Sequence, residues 1–187
     1  MTLHDRISKK IIGRLTLTIA ESDLLSKYAS IEGNHLEIGC LWGGSAILSA
    51  LSKANGHVYT VDFMQGGFWL TGDPGANRNV PTLKAVQQNI KAFDLEDRIT
   101  LIVSNSNPLP DVNPVTVMID GDHSFEGCMA DWLNVKSLNP DYVLFHDYKT
   151  GNHPGVERVV DHVRDYEENW HQVDIADSMI VFERLGR

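Results

Sequence analysis

The sequence predicts an α/β fold: a doubly wound, seven-stranded, mostly parallel sheet with helices on both faces and an antiparallel last strand. Three observations carry that expectation. Short runs rich in Val, Ile and Leu alternate with amphipathic segments along the whole chain, the order that buries a parallel sheet between helices. The first run leads directly into the glycine-rich turn Gly39-Cys40-Leu41-Trp42-Gly43-Gly44-Ser45. The last two runs are separated only by Ala176-Asp177-Ser178, a turn that fits an antiparallel pair.

The elements follow in order. Residues 2–30 read as helical in two pieces. The first strand is His35–Gly39, with a helix over Ser45–Lys53, and the second strand is His57–Asp62. A helix spans Pro81–Phe93, with Pro at its first turn, where its missing N–H costs nothing. Strands three and four are Ile99–Ser104 and Val115–Asp120, and a helix runs near Phe125–Leu138. Strand five is Tyr142–Asp147. The next helix starts near Pro154, with Val156, Val159, Val160, Val163 and Tyr166 on one apolar face. His171–Ile175 and Met179–Glu183 close the sheet.

A length of 187 residues favours one domain over 1–187, with N-terminal helices over 1–30 and the α/β core over 35–183. Hydrophobic content of 42% and charged content of 22% are ordinary for a globular protein. A net charge of -9 argues against nucleic acid or an anionic membrane as partner. Two cysteines, Cys40 and Cys128, make neither a disulfide framework nor a zinc site. No signal peptide or membrane span is legible, so a reducing cytoplasm is the expectation, with a homo-oligomer left open.

The turn and the second strand together have the layout of a nucleotide-binding βαβ unit. Glycines let the backbone approach a ligand, and Asp62 at the end of the second strand is placed for ribose hydroxyls. A pyrophosphate loop needs G-x-G-x-x-G, whereas Leu41 and Trp42 put bulk inside this turn. That favours a cofactor without phosphate.

Strands one, two, four and five each end in or beside an acid: Glu37, Asp62, Asp120 and Asp147. Ligand sites of open α/β sheets lie beyond those ends. If strands four and five are neighbours, Asp120 and Asp147 lie roughly 5 Å apart. Two carboxylates so close repel unless a proton or a cation sits between them, and a hard divalent cation is the simplest solution. His146 widens the choice towards Mn, Fe or Zn. The blander alternatives are that Ser124 or Asp122 caps the following helix and that His146 only hydrogen-bonds at a strand end.

The turn, in the form Glu-Ile-Gly-x-x-x-Gly-Gly-Ser, resembles motif I of the class I S-adenosylmethionine (SAM)-dependent methyltransferases. Three further motifs follow in order: Asp120-Gly121-Asp122-His123-Ser124-Phe125-Glu126-Gly127, then Phe145-His146-Asp147-Tyr148, then His153-Pro154-Gly155-Val156 with Arg158-Val159-Val160. Over Leu36 to Val163 the chain resembles the group that includes macrocin O-methyltransferase and the cephalosporin-hydroxylase-like enzymes.

The resemblance implies a Rossmann-like fold and metal-assisted O-methylation of sugars or other small hydroxylated molecules. It implies that Glu37, Gly39, Gly43 and Ser45 cradle the methionine end of the cofactor, that Asp62 holds the ribose, and that Asn105 stands near the adenine. Asp120 would serve both cofactor and cation, with His146 and Asp147 completing the cation site and Mg(II) the expected ion. His123 or Asp122 would accept the proton, or His123 would support the site from behind. The chain departs from the group at Ser104-Asn105-Ser106, which offers no acid, and at His146, where an acid commonly precedes the second Asp.

Methyl transfer from a sulfonium is an in-line displacement, and positioning alone supplies about 7–11 kcal/mol of the barrier. An ordinary His has a pKa of about 6.5, suited to proton acceptance near neutrality. Phe63 to Val80, with Gly66, Gly67, Gly72 and Gly75 and the aromatics Phe63, Phe68 and Trp69, reads as a lid over cofactor or acceptor, or else as a surface loop. Two competing functions stay open. A metal-dependent hydrolase would use Asp120, Asp122, His123 and Asp147 but leave the glycine turn and Asp62 without a task. A non-catalytic SAM-binding protein would keep the turn and not the cation.

Overall fold

Two capping boxes open the chain. Thr2 and Asp5 bond each other's backbone N–H at the start of α1 (Leu3–Lys10), and Thr18 and Glu21 do the same for α2 (Ile19–Ala29). The computed structural model describes residues 1–64, 83–110 and 112–186. The remaining elements are β1 (Asn34–Ile38), α3 (Gly44–Ser52), β2 (Val58–Asp62), α4 (Leu83–Ala92), β3 (Ile99–Val103), β4 (Pro114–Ile119), α5 (Phe125–Ser137), β5 (Tyr142–Phe145), α6 (Pro154–Tyr166), β6 (Trp170–Ala176) and β7 (Met179–Arg184). Most of the expected Phe63–Val80 lid, and Pro81 at the expected start of α4, lie outside the described residues.

The seven strands form one sheet in the order β3-β2-β1-β4-β5-β7-β6. β1 to β5 run parallel. β7 is antiparallel to both its neighbours and slots between β5 and β6. This is the doubly wound, mostly parallel sheet with an antiparallel last strand that the sequence predicts.

Side chains alternate between two cores, as the period of two requires. Met118 and Leu144 point into one core with Ile7, Leu25, Ile47 and Val86 of α1 to α4. Val117, Ile119, Val143 and Phe145 point into the other, with Trp132 of α5 and Val159, Val160 and Val163 of α6. Tyr166 departs from its expected place on that apolar face. It is 74% exposed. The helix ends there, and the buried Trp170 closes the corner instead, its ring edge-on to Trp132 at 5.1 Å.

Chain order reverses between β1 and β4, so a crevice opens at their carboxyl ends. Sheet pairing stops at Ile38↔Ile119 and Ile119↔Phe145. Gly39, Asp120, His146 and Asp147 therefore sit just past the ladder rather than inside it. Asp147 turns the chain at φ 63, a left-handed conformation that Asp tolerates better than most residues. Among the described residues, no helix is long and apolar enough to cross a membrane.

Candidate active site

Gly39 leaves β1 at φ +91, and a Cβ there would lie 2.0 Å from the Asp120 carbonyl oxygen. Only glycine lets the ends of β1 and β4 pass this closely. Leu41 follows at φ 46, and Gly43 at φ 80 is the N-cap of α3. The Asp62 carboxylate ties the turn together. Its Oδ2 accepts from Cys40 N at 2.7 Å and Leu41 N at 3.3 Å, and its Oδ1 from Met64 N at 2.7 Å.

Glu37 lies beneath the turn and is fully buried. Its Oε1 accepts from Ser45 Oγ at 3.0 Å and Thr60 Oγ1 at 3.2 Å, while its Oε2 has no partner among the described residues. Burial pushes its carboxyl up to about 8, against the pull of the Ser45 bond, so it is largely protonated at neutral pH.

A cavity of about 850 Å³, the size of a small-molecule site, runs along the strand ends from the turn to the second acidic constellation. Gly39, Ser45, Asp62, Asn105 and Asp120 line it, as do Asp122, His123, His146 and Asp147. Glu37 and Gly43 are not among its lining residues. They shape the turn from behind. Arg14, from the segment between α1 and α2, is the one Arg or Lys among the described lining residues.

At the far end, histidines stand where the sequence leaves two carboxylates facing each other. His146 Nδ1 bonds Asp120 Oδ1 at 3.2 Å and lies 3.6 Å from Asp147 Oδ2. His123 Nε2 lies 2.9 Å from Asp147 Oδ2 and 3.5 Å from Asp120 Oδ1. It lacks the alignment of a hydrogen bond despite the short distance, so the contact is a charge pair rather than a directed bond.

The consequences are electrostatic. Burial alone would raise Asp120 and Asp147, yet the neighbouring imidazoles hold both carboxyls below their ordinary values. Asp120 and then Asp147 lift His123 to about 9. Burial opposes the charged form of His146, but Asp120, Asp147 and Glu21 lift it to about 12. His123 is thus protonated at neutral pH and is not a ready proton acceptor as it stands, contrary to the expectation from its ordinary pKa. Asp122 is exposed and accepts from Ser124 N at 2.8 Å, while Ser124 Oγ caps α5 by accepting from Gly127 N at 3.1 Å.

Three contributors escape the sequence reading. Asp131 is buried at 2% exposure, accepts from Ser106 Oγ, and lines the cavity near Asn105. Burial pushes it up to about 6. Its signal was present: Cys128, Asp131, Trp132 and Val135 share the buried face of α5, and an acid there needs a reason. His153 stacks on His123 with ring centroids 4.2 Å apart and approaches Asp147 Oδ2 at 3.7 Å. Glu21 arrives from α2, with Oε2 3.5 Å from His146 Nε2. Its capping box is legible, but its reach into the site is a tertiary fact.

The donor set fits a divalent cation. Asp120, His146 and Asp147 offer ligand atoms within 4.8 Å of one another, and so do His123, Asp147 and His153. Both trios join nitrogen to carboxylate oxygen. The residues also fit an adenosyl ligand: a glycine floor, the Asp62 carboxylate and a cavity of suitable size.

No protein-family model matches the sequence, and no curated protein is detectably similar to it in sequence. Solved structures are similar in fold. An O-methyltransferase from Bacillus cereus in complex with SAH superposes with a TM-score of 0.64 at 16% identity, covering 91% of this chain and 82% of that one. The O-methyltransferase TomG from Streptomyces achromogenes, involved in tomaymycin synthesis and solved with SAM, gives 0.65 at 13% identity, covering 98% and 89%. Cofactor-bound Rv0187 from MTB gives 0.68 at 14% identity, covering 97% and 87%. At such identities the likeness shows the fold, which is Rossmann-like and shared with methyltransferases.

Proposed function

We propose that this chain is a SAM-dependent O-methyltransferase that acts on a hydroxyl of a small molecule or glycan with the help of a divalent cation. The observation that carries this reading is the continuity of the cavity. One end is the glycine turn with Asp62, and the other is the Asp120–His146–Asp147 cluster, so a methyl donor and an activated hydroxyl have adjoining places. A hydrolase needs only the second end. The solved neighbours bound to SAM or SAH support the first.

Each part has a task. Gly39 and Ser45 receive the amino-acid end of the donor, over a floor held by Glu37. Asp62 keeps the turn closed and has lone pairs left for ribose hydroxyls. Asn105 and Asp131 stand at the adenine end. SAM supplies an electrophilic methyl on its sulfonium. Asp120, His146 and Asp147 would hold a divalent cation, which would lower the pKa of the acceptor hydroxyl and fix its direction. With the two carboxylates shared by that cation, the His123 imidazole would be free to take the acceptor's proton.

Asp62→Ala tests the donor end. It removes hydrogen bonds to a charged acceptor, each worth roughly 1.5–3 kcal/mol, and it opens the turn at Cys40 and Leu41. SAM affinity, read by calorimetry, should fall at least about tenfold, and transfer of labelled methyl to a panel of sugar and alcohol acceptors should fall with it. Unchanged affinity in the variant would sink the assignment of the turn.

A further inference from the structure

We propose that Glu21 of the N-terminal helix α2 is the positioning residue of the cation site, and that through His146 it gives the site a preference for Mn(II) over Mg(II). This rests on the reading above of Asp120, His146 and Asp147 as cation ligands.

The two nitrogens of His146 face opposite partners. Nδ1 faces Asp120 Oδ1 at 3.2 Å and Asp147 Oδ2 at 3.6 Å, while Nε2 faces Glu21 Oε2 at 3.5 Å. The Glu21 carboxylate meets the Nε2 edge as a charge contact without the alignment of a hydrogen bond. It leaves the Nδ1 edge facing Asp120 and Asp147, the side on which a cation would be held.

Glu21 is held too firmly to be an incidental neighbour. It is 2% exposed. Its Oε2 accepts from Thr18 N at 2.8 Å, and its Oε1 from Ser178 N at 3.0 Å and Ser178 Oγ at 2.6 Å. Ser178 O in turn accepts from Tyr148 N at 2.9 Å, next to Asp147. One carboxylate therefore links α2, the turn between β6 and β7, and the His146–Tyr148 segment. A capping box alone needs only the Thr18 bond. It requires neither burial nor a histidine.

The choice of cation follows from the ligand atoms. Mg(II) favours an all-oxygen shell with near-ideal octahedral geometry. Carboxylates with an imidazole suit Mn(II) and the later first-row ions, whose affinity for nitrogen is greater. An imidazole fixed by Glu21 in its ligating orientation adds to that preference, because it does not have to be reoriented on binding.

The test is calorimetric titration of the full chain with Mn(II) and with Mg(II), alongside the paramagnetic resonance of bound Mn(II). Wild-type protein should bind Mn(II) more tightly than Mg(II). Glu21→Gln removes the charge facing Nε2 and keeps one of the two acceptor oxygens, enough for either the Thr18 bond or the Ser178 pair but not both. It should weaken Mn(II) about 10–100-fold, weaken Mg(II) less, and leave SAM affinity unchanged. Thr18→Ala loosens the same helix cap without touching His146, and should lower the unfolding midpoint but not Mn(II) affinity. Wild-type Mn(II) affinity in Glu21→Gln, or an equal loss in Thr18→Ala, would reduce Glu21 to a capping residue and overturn the proposal. A wild-type preference for Mg(II) overturns the selectivity. Wild-type protein that binds neither ion removes the cation reading itself, a result distinct from the other two.

Discussion

Asp147→Asn is expected to lower methyl transfer by at least about a hundredfold, an effect of several kcal/mol on the barrier, while SAM affinity stays within a few-fold of wild type. The backbone should tolerate the change. Asp147 sits at φ 63, and Asn is as comfortable as Asp in that region. What is lost is charge. Asp147 Oδ2 is the oxygen shared by His123, His146 and His153, and it belongs to both cation-ligand trios. A neutral amide there weakens any cation and leaves the imidazoles of His123 and His146 with Asp120 but without their second counter-charge. The donor end is built from β1 and β2, on the other side of β4, so it should bind as before. A chelator should reproduce the phenotype in wild-type protein. Full activity in chelator, from protein with no bound metal, would rule the cation out and leave the two acids as bases or structural groups.

Gly39→Ala should remove SAM binding and destabilise the fold together. The new methyl would sit 2.0 Å from the Asp120 carbonyl oxygen and 2.7 Å from its carbon, on a backbone at φ +91. Neither obstacle is a flexible side chain. The carbonyl belongs to the end of a central strand, so relief requires prising β1 from β4. Left-handed strain costs about 1–2 kcal/mol and overpacking about 1–3 kcal/mol, a total that should lower the unfolding midpoint of a chain this size by roughly 5–15 °C. Gly151→Ala is the control. It has φ +77 but none of the described residues within 4 Å of the added methyl, so it should show the strain without the clash. Equal midpoints in the two variants would mean that the close approach at Gly39 is not a constraint.

Much of this architecture was legible because the physics that sets it is local. Apolar runs, an apolar helix face at helical spacing and the turn residues each act over a few positions, so the strands and the helices after residue 44 fall within a residue or two of their expected places. The acids at strand ends were legible as a group for the same reason: chain direction puts them at one edge once the sheet is parallel. The fate of each acid was not legible. Glu37 and Asp62 both end a strand, yet one is buried and largely neutral under the turn while the other holds backbone N–H groups at the cavity wall. That difference depends on the face each side chain takes and on what packs above it. His123 shows the same limit. Its ordinary pKa suits a base, but two carboxylates meeting it from β4 and β5 reverse that property. Glu21 reaches His146, and His153 reaches His123, from segments far along the chain, and no spacing in the sequence encodes either approach.

Calorimetric titration of the purified chain with SAM, with NAD as the comparison ligand, decides which ligand the glycine turn holds. One SAM site of micromolar-range affinity, about -8 kcal/mol, is expected, with no measurable binding of NAD, because Leu41 and Trp42 occupy the turn where a pyrophosphate needs glycine. Binding of NAD in preference to SAM would contradict this expectation and move the chain to hydride chemistry. Failure to bind SAM at millimolar concentration would leave the glycine turn without the ligand on which the whole reading depends.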